Sequence, residues 1–152
     1  MKKVGDVAPP FEAASSSGKL ISLAALRGQW VVVYFYPKAF TPGCTVETKR
    51  FRDNYADLRA LGAEVVGISV DELAQQCRFA SEHGVTFPLV SDEHKTISKD
   101  YGVLWPMIGV DKRVTFMIDP DGVIRAVFRH EIQISKHLDD VLRFLRQQNG
   151  TT

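Results

Sequence analysis

Cys44 ends the run Pro37-Lys38-Ala39-Phe40-Thr41-Pro42-Gly43-Cys44. The apolar, β-branched segment Val31-Val32-Val33-Tyr34-Phe35-Tyr36 precedes that run, and a charged, helix-period segment follows from Thr45. A cysteine on a strand-to-helix turn faces free backbone N–H groups, which favour a thiolate, and the thiolate is the nucleophile. An ordinary thiol, with a pKa of about 8.5, is only ~3% ionised at pH 7. Full ionisation therefore raises the thiolate concentration only about 30-fold, whereas enzymes supply on the order of 10⁶-fold or more. Most of the acceleration must come from orienting an electrophile and stabilising developing charge. The site calls for a hydroxyl and a fixed cation beside the sulfur.

The chain has 152 residues, 45% hydrophobic and 24% charged, with a formal net charge of +1. That suits one domain, expected over 1–152, with a core of its own. No Lys/Arg cluster marks a nucleic-acid footprint. The longest apolar run is about seven residues, against ~20 for a membrane span. Basic Lys2 and Lys3 lead into no apolar segment, so the expected compartment is the cytoplasm. Two cysteines there do not read as a structural framework. His83, His94, His130 and His137 lie far apart, so no metal site and no cofactor are expected from the spacing.

The elements that must position Cys44 follow from pattern and punctuation. Ser15 to Lys19 reads as a hairpin turn before Leu20-Ile21-Ser22-Leu23. Strands are expected at 31–36, 64–70 and 87–91, with helices at 45–60, 72–83 and 93–101. Gly62, Gly84 and Gly102 stand just past the ends of those helices. Asp119-Pro120-Asp121-Gly122 is a turn between strands 113–118 and 123–128. Ser135 to Gln148 closes the chain as an amphipathic helix with Leu138, Val141, Leu142 and Leu145 on one face. The order predicts an α/β fold: a thioredoxin-like core with an N-terminal β-hairpin extension and a mixed central sheet with helices on both faces. Sites in such sheets form beyond the carboxyl ends of the strands, where Cys44 lies.

The string Pro37-x-x-x-Thr41-x-x-Cys44 resembles the peroxidatic motif of peroxiredoxins. The wider run from Phe35 to Thr45 is similar to their bacterioferritin comigratory protein, or peroxiredoxin Q, branch, in the AhpC/TSA superfamily. Gly5-Asp6-x-Ala8-Pro9-x-Phe11, Gly67-Ile68-Ser69-x-Asp71, Phe87-Pro88-Leu89-Val90-Ser91-Asp92 and Lys112-Arg113-x-Thr115-Phe116 extend the resemblance over about residues 3–147. It implies a thiol-dependent peroxidase acting on hydrogen peroxide and organic hydroperoxides. Cys44 would attack the peroxide and become a sulfenic acid. Thr41 would hydrogen-bond the peroxide, and Arg113 would hold thiolate and substrate through its fork of donors. Pro37 would shield the turn from water. Glu47 would orient the arginine, and backbone N–H groups near Gly43 and Cys44 would complete the cradle.

Each residue also has a plainer reading. Arg113 would be a solvated strand-end charge, Glu47 a response to the helix dipole, Thr41 an ordinary cap-region residue, and Phe40, Trp105 and Phe116 packing residues. The sequence departs from the branch at Lys49, where many members carry a resolving cysteine. Cys77, on the helix after the second strand, sits one turn before the other resolving position, near Ala80. It shares a helical face with Leu73 and Ala80. Cys77 is either a resolving cysteine or a buried core thiol in a one-cysteine enzyme. The implied reductant is thioredoxin or a glutaredoxin–glutathione system, and the implied state is a monomer. The competing functions are a disulfide oxidoreductase, which would want the C-x-x-C this chain lacks, and a peroxide sensor without turnover.

Overall fold

The computed structural model describes residues 1–131 and 133–149. Ile132 and the last three positions of the expected 1–152 domain lie outside the described residues. Strands β1 (Glu12–Ala14) and β2 (Leu20–Ser22) pair as an antiparallel hairpin, followed by a 3₁₀ turn at Ala24–Leu26. The remaining elements are β3 (Trp30–Phe35), α1 (Pro42–Asp53), α2 (Tyr55–Ala60), β4 (Ala63–Ser69), α3 (Leu73–Glu82), β5 (Leu89–Ser91), α4 (Thr96–Tyr101), β6 (Val114–Ile118), β7 (Ile124–Arg129) and α5 (Lys136–Gln148). The central sheet runs β5-β4-β3-β6-β7. β3 pairs parallel with β4 and antiparallel with β6, so the sheet is mixed. The expected thioredoxin-like core and hairpin extension are both present.

β3 is central and buried on both faces, which is why its sequence is continuously apolar rather than alternating. Its period-2 geometry divides it between two cores. Val32, Tyr34 and Tyr36 pack with Phe51 of α1, Leu58 of α2, Phe79 of α3 and Leu138, Val141 and Leu145 of α5. Val31, Val33 and Phe35 pack with Ile97 and Tyr101 of α4 and with Phe11 and Leu23 from the N-terminal segment. Helices thus cover both faces, and four of the five lie on the side that carries Cys44.

The expected single helix at 45–60 is two helices that start three residues earlier. Pro42 takes the first helical position, where no N–H is needed and its fixed φ fits. The break falls at Asn54, whose φ of −112° and ψ of 10° leave the helical region. Its side-chain amide donates to the Arg50 carbonyl at 2.9 Å and closes the end of α1. Leu58 still points into the core, so the apolar period runs through the break and hides it.

Candidate active site

β3 ends at Phe35, and the loop from Tyr36 to Thr41 carries the chain into α1. Thr41 is the residue capping α1, with extended backbone, and its carbonyl accepts the Thr45 N–H at 2.9 Å. Gly43 and Cys44 are the second and third helical residues, so their N–H groups belong to the set without intrahelical partners. Cys44 is fully buried in this first turn. The loop is pinned from two sides. Asp71, just past β4, accepts the Ala39 N–H at 2.8 Å and the Ser69 hydroxyl at 2.6 Å. Phe40 adopts a left-handed φ of 67°, a conformation that costs an aromatic residue on the order of 1–2 kcal/mol. Its ring meets Phe79 edge-on at 5.1 Å and His83 at 6.1 Å, both at the end of α3. Phe40 is a packing residue, in a strained backbone.

The antiparallel register Phe35↔Val114 brings the start of β6 beside the end of β3. Arg113 therefore stands next to the Cys44 turn. One guanidinium nitrogen donates to Cys44 Sγ at 3.4 Å, and the other donates to Glu47 Oε1 at 2.8 Å. Arg113 is only 6% exposed and Glu47 only 2%. The plainer readings of both fail: this arginine is not solvated, and this glutamate is bonded rather than placed by the dipole alone. Burial works against the Arg113 charge, but Glu47 and Cys44 together hold its pKa above the ordinary value. Burial pushes the Glu47 carboxyl up to about 7, against the lowering pull of Arg113.

Gly43 owes its presence to this approach. A Cβ there would lie 2.7 Å from Ile134 Cδ1 and 3.1 Å from the Arg113 nitrogen that faces the sulfur. Gly43→Ala is expected to displace the guanidinium by a few tenths of an ångström. The oxidation of Cys44 that the resemblance implies should slow about tenfold, since a full ångström of misplacement costs on the order of 100-fold. Stopped-flow measurement of Cys44 oxidation checks this.

Thr41 makes no capping bond with its side chain. Its hydroxyl donates to the Lys38 carbonyl at 2.7 Å, which leaves its lone pairs free to accept an incoming O–H. Pro37 is half-buried in the same loop. Cys77 is exposed on α3, and both cysteines are free thiols. The core-facing residues of α3 are Gln76, Phe79 and Ala80. The reading of Cys77 as a buried core thiol is thus wrong.

Sequence reasoning missed the layer behind Glu47. His137 of α5 is fully buried, and its Nδ1 lies 2.8 Å from the Thr115 hydroxyl and 3.7 Å from Glu47 Oε2. Its position offered one signal: His137 shares the i, i+4, i+8 stripe with Val141 and Leu145. Among the described residues, no three His, Cys, Asp or Glu side chains are placed to hold a metal ion. No helix there is long and apolar enough to cross a membrane.

A buried thiol with a guanidinium at its sulfur, a hydroxyl acceptor nearby and free N–H groups behind it is equipped to attack a polarisable O–O or S–S bond. Comparison with known proteins narrows this. Residues 4–127 match the AhpC/TSA family. Peroxiredoxin Bcp of Escherichia coli is 40% identical over 151 residues, covering 95% of this chain and 96% of that protein. The chloroplastic peroxiredoxin Q of Suaeda salsa is 39% identical over 143 residues, covering 93% of this chain and 67% of that protein. The crystal structure of peroxidoxin BcpB from Mycobacterium tuberculosis superposes with a TM-score of 0.90 at 36% identity, covering 97% of this chain and 98% of that one. The chain belongs to the AhpC/TSA family, on its peroxiredoxin Q and bacterioferritin comigratory protein branch.

Proposed function

We propose that Cys44 is the peroxidatic cysteine of this thiol-dependent peroxidase, and that the residues around it act as one unit within a single domain. The observation that carries the assignment is the buried guanidinium of Arg113, which bridges Cys44 Sγ at 3.4 Å and Glu47 at 2.8 Å. The Cys44 thiolate attacks one peroxide oxygen. The S–O bond forms, the O–O bond breaks, and the electron pair leaves on the distal oxygen, which ends as water or an alcohol. Arg113 faces both the sulfur and the developing negative charge. Thr41 accepts the peroxide O–H and holds the O–O axis in line. Pro37 and Gly43 close the turn, one keeping water out and the other admitting the guanidinium. A pure sensor or a disulfide-exchange protein has less need of a buried, doubly bonded arginine at its sulfur.

The product is a sulfenic acid, which a thiol must reduce. Cys77 is our candidate for the resolving thiol. Its Cα must come within about 7 Å of that of Cys44, and we infer that the fully buried Cys44 reaches the exposed Cys77 by unwinding the first turn of α1. The strained Phe40, clamped on α3 two residues past Cys77, marks the hinge. We infer that thioredoxin then reduces the Cys44–Cys77 disulfide, and that the enzyme works as a monomer in the cytoplasm on hydrogen peroxide and organic hydroperoxides.

Cys77→Ser is expected to keep turnover with dithiothreitol, to lose turnover with thioredoxin by about 100-fold, and to show no intramolecular disulfide by mass. Unchanged turnover with thioredoxin would make this a one-cysteine enzyme. An external thiol, such as a glutaredoxin–glutathione system, would then reduce Cys44 directly.

A further inference from the structure

The buried group around Cys44 holds two potential anions and one fixed cation. Cys44 as a thiolate and Glu47 as a carboxylate both take their contacts from Arg113, at 3.4 and 2.8 Å. One guanidinium balances one anion, and a second bare anion in a buried site is costly. The other charged group acting on Glu47 does not help, because Glu131, beyond β7, is itself acidic.

The spare oxygen of Glu47 is the informative atom. Oε1 accepts from Arg113, but Oε2 is buried and has no hydrogen-bond partner among the described residues. It faces His137 Nδ1 across 3.7 Å. The state of that nitrogen follows from the rest of the ring. His137 Nε2 lies 3.0 Å from the His130 carbonyl, which can only accept, so Nε2 carries the hydrogen. Burial pushes the His137 pKa down to about 4, so the ring is neutral at pH 7. Nδ1 therefore presents a lone pair. The Thr115 hydroxyl donates to it at 2.8 Å, and Glu47 Oε2 points towards the same region. Nδ1 thus offers Oε2 no N–H, and a carboxylate oxygen left there without a donor is costly, whereas a neutral carboxyl is not.

We propose that Glu47 holds one proton on Oε2, facing His137 Nδ1, while Cys44 is a thiolate, and gives it up when Cys44 becomes a neutral sulfenic acid. This rests on Cys44 being the peroxidatic cysteine. The step balances. Thiolate, protonated Glu47 and ROOH carry two protons between them. Sulfenic acid, ionised Glu47 and ROH carry the same two. The S–O bond forms, the O–O bond breaks, and the leaving alkoxide is neutralised by a proton the protein already held, passed directly or by exchange with water. Arg113 then balances Glu47 alone. Glu47 is thus both the positioning residue for Arg113 and a redox-linked proton store, and the neutral His137 ring places neither a cation nor an N–H beside Oε2 to hold it ionised.

Difference infrared spectroscopy on the Cys77→Ser protein tests this, with thiolate absorbance at Cys44 recorded in parallel. Adding one equivalent of hydrogen peroxide should remove one protonated-carboxyl C=O band per Cys44 oxidised. Carbon-13 glutamate should shift that band in the same Cys77→Ser protein, with every residue of the buried site unchanged. Glu47→Gln should lack the band, and His137→Gln should move its frequency. Loss of thiolate without any loss of a glutamate carboxyl band overturns the proposal. A band that persists in Glu47→Gln, or one that ignores His137→Gln, overturns the assignment to this pair. Failure of peroxide to consume the thiolate at all would instead sink the peroxidase reading of Cys44.

Discussion

Cys44→Ser is expected to lower peroxide consumption by on the order of 10⁴-fold or more, measured with dithiothreitol as reductant so that Cys77 plays no part. The sulfur supplies what a hydroxyl cannot: a polarisable nucleophile that accepts oxygen. Serine keeps the shape, and its hydroxyl can still accept from Arg113, so the fold should survive. The melting temperature should stay within a few degrees of the parent, because the site is filled as before and Glu47 keeps its guanidinium partner. Activity within tenfold of the parent would refute Cys44 as the nucleophile. The same loss should appear with hydrogen peroxide and with an organic hydroperoxide, since both need the same S–O bond.

The parts of this site differ in how far the sequence exposes them, and the difference is one of range. Cys44 is legible because its signals are local: a β-branched run, a turn containing Pro42 and Gly43, and a helix-period segment follow one another in the chain. The hairpin turn at 119–122 is legible for the same reason. Arg113 is not legible from local pattern. Its closeness to Cys44 depends on the antiparallel register of β3 on β6, across 69 residues, and only the family resemblance pointed to it. His137 is harder still, since a single polar residue on the apolar stripe of α5 reads as an interruption of the core.

The phase of α3 is what hides the exposure of Cys77 in the sequence. Gln76 sits on the buried face because it accepts the Tyr36 hydroxyl and donates to the Val90 carbonyl at 2.9 Å. A satisfied polar residue in the core shifts the apparent apolar stripe by one position, which leaves the core-thiol and resolving readings of Cys77 both open in the sequence. The break at Asn54 is hidden for the opposite reason. The apolar period continues through it, and the break rests on backbone angles and one side-chain bond to the preceding turn.

Arg113 carries the second large effect, and its variants separate catalysis from packing. Arg113→Lys keeps a positive charge but loses the fork. One ammonium cannot serve Sγ and Glu47 with the paired geometry of a guanidinium. Activity should fall by about 10²-fold or more, with the fold intact. Arg113→Ala should fall by about 10³-fold and also lose stability, on the order of 3–5 kcal/mol, because Glu47 is left buried without its partner. That loss should depend on pH in a definite direction. Burial already holds the Glu47 carboxyl at about 7, above the ordinary carboxylate range, and removing the cation raises it further. A carboxyl raised in the folded state is most favourable to folding below its unfolded pKa, and that contribution disappears as pH rises through the folded pKa. Arg113→Ala should therefore approach parental stability near pH 4.5 and be at its weakest above pH 8, as read from denaturant midpoints. Arg113→Met combined with Glu47→Gln removes both charges together and should recover most of the stability at pH 8. It should recover none of the activity, because nothing then faces the developing charge on the peroxide. Full activity in that double variant would mean that Arg113 holds the fold and takes no part in the chemistry.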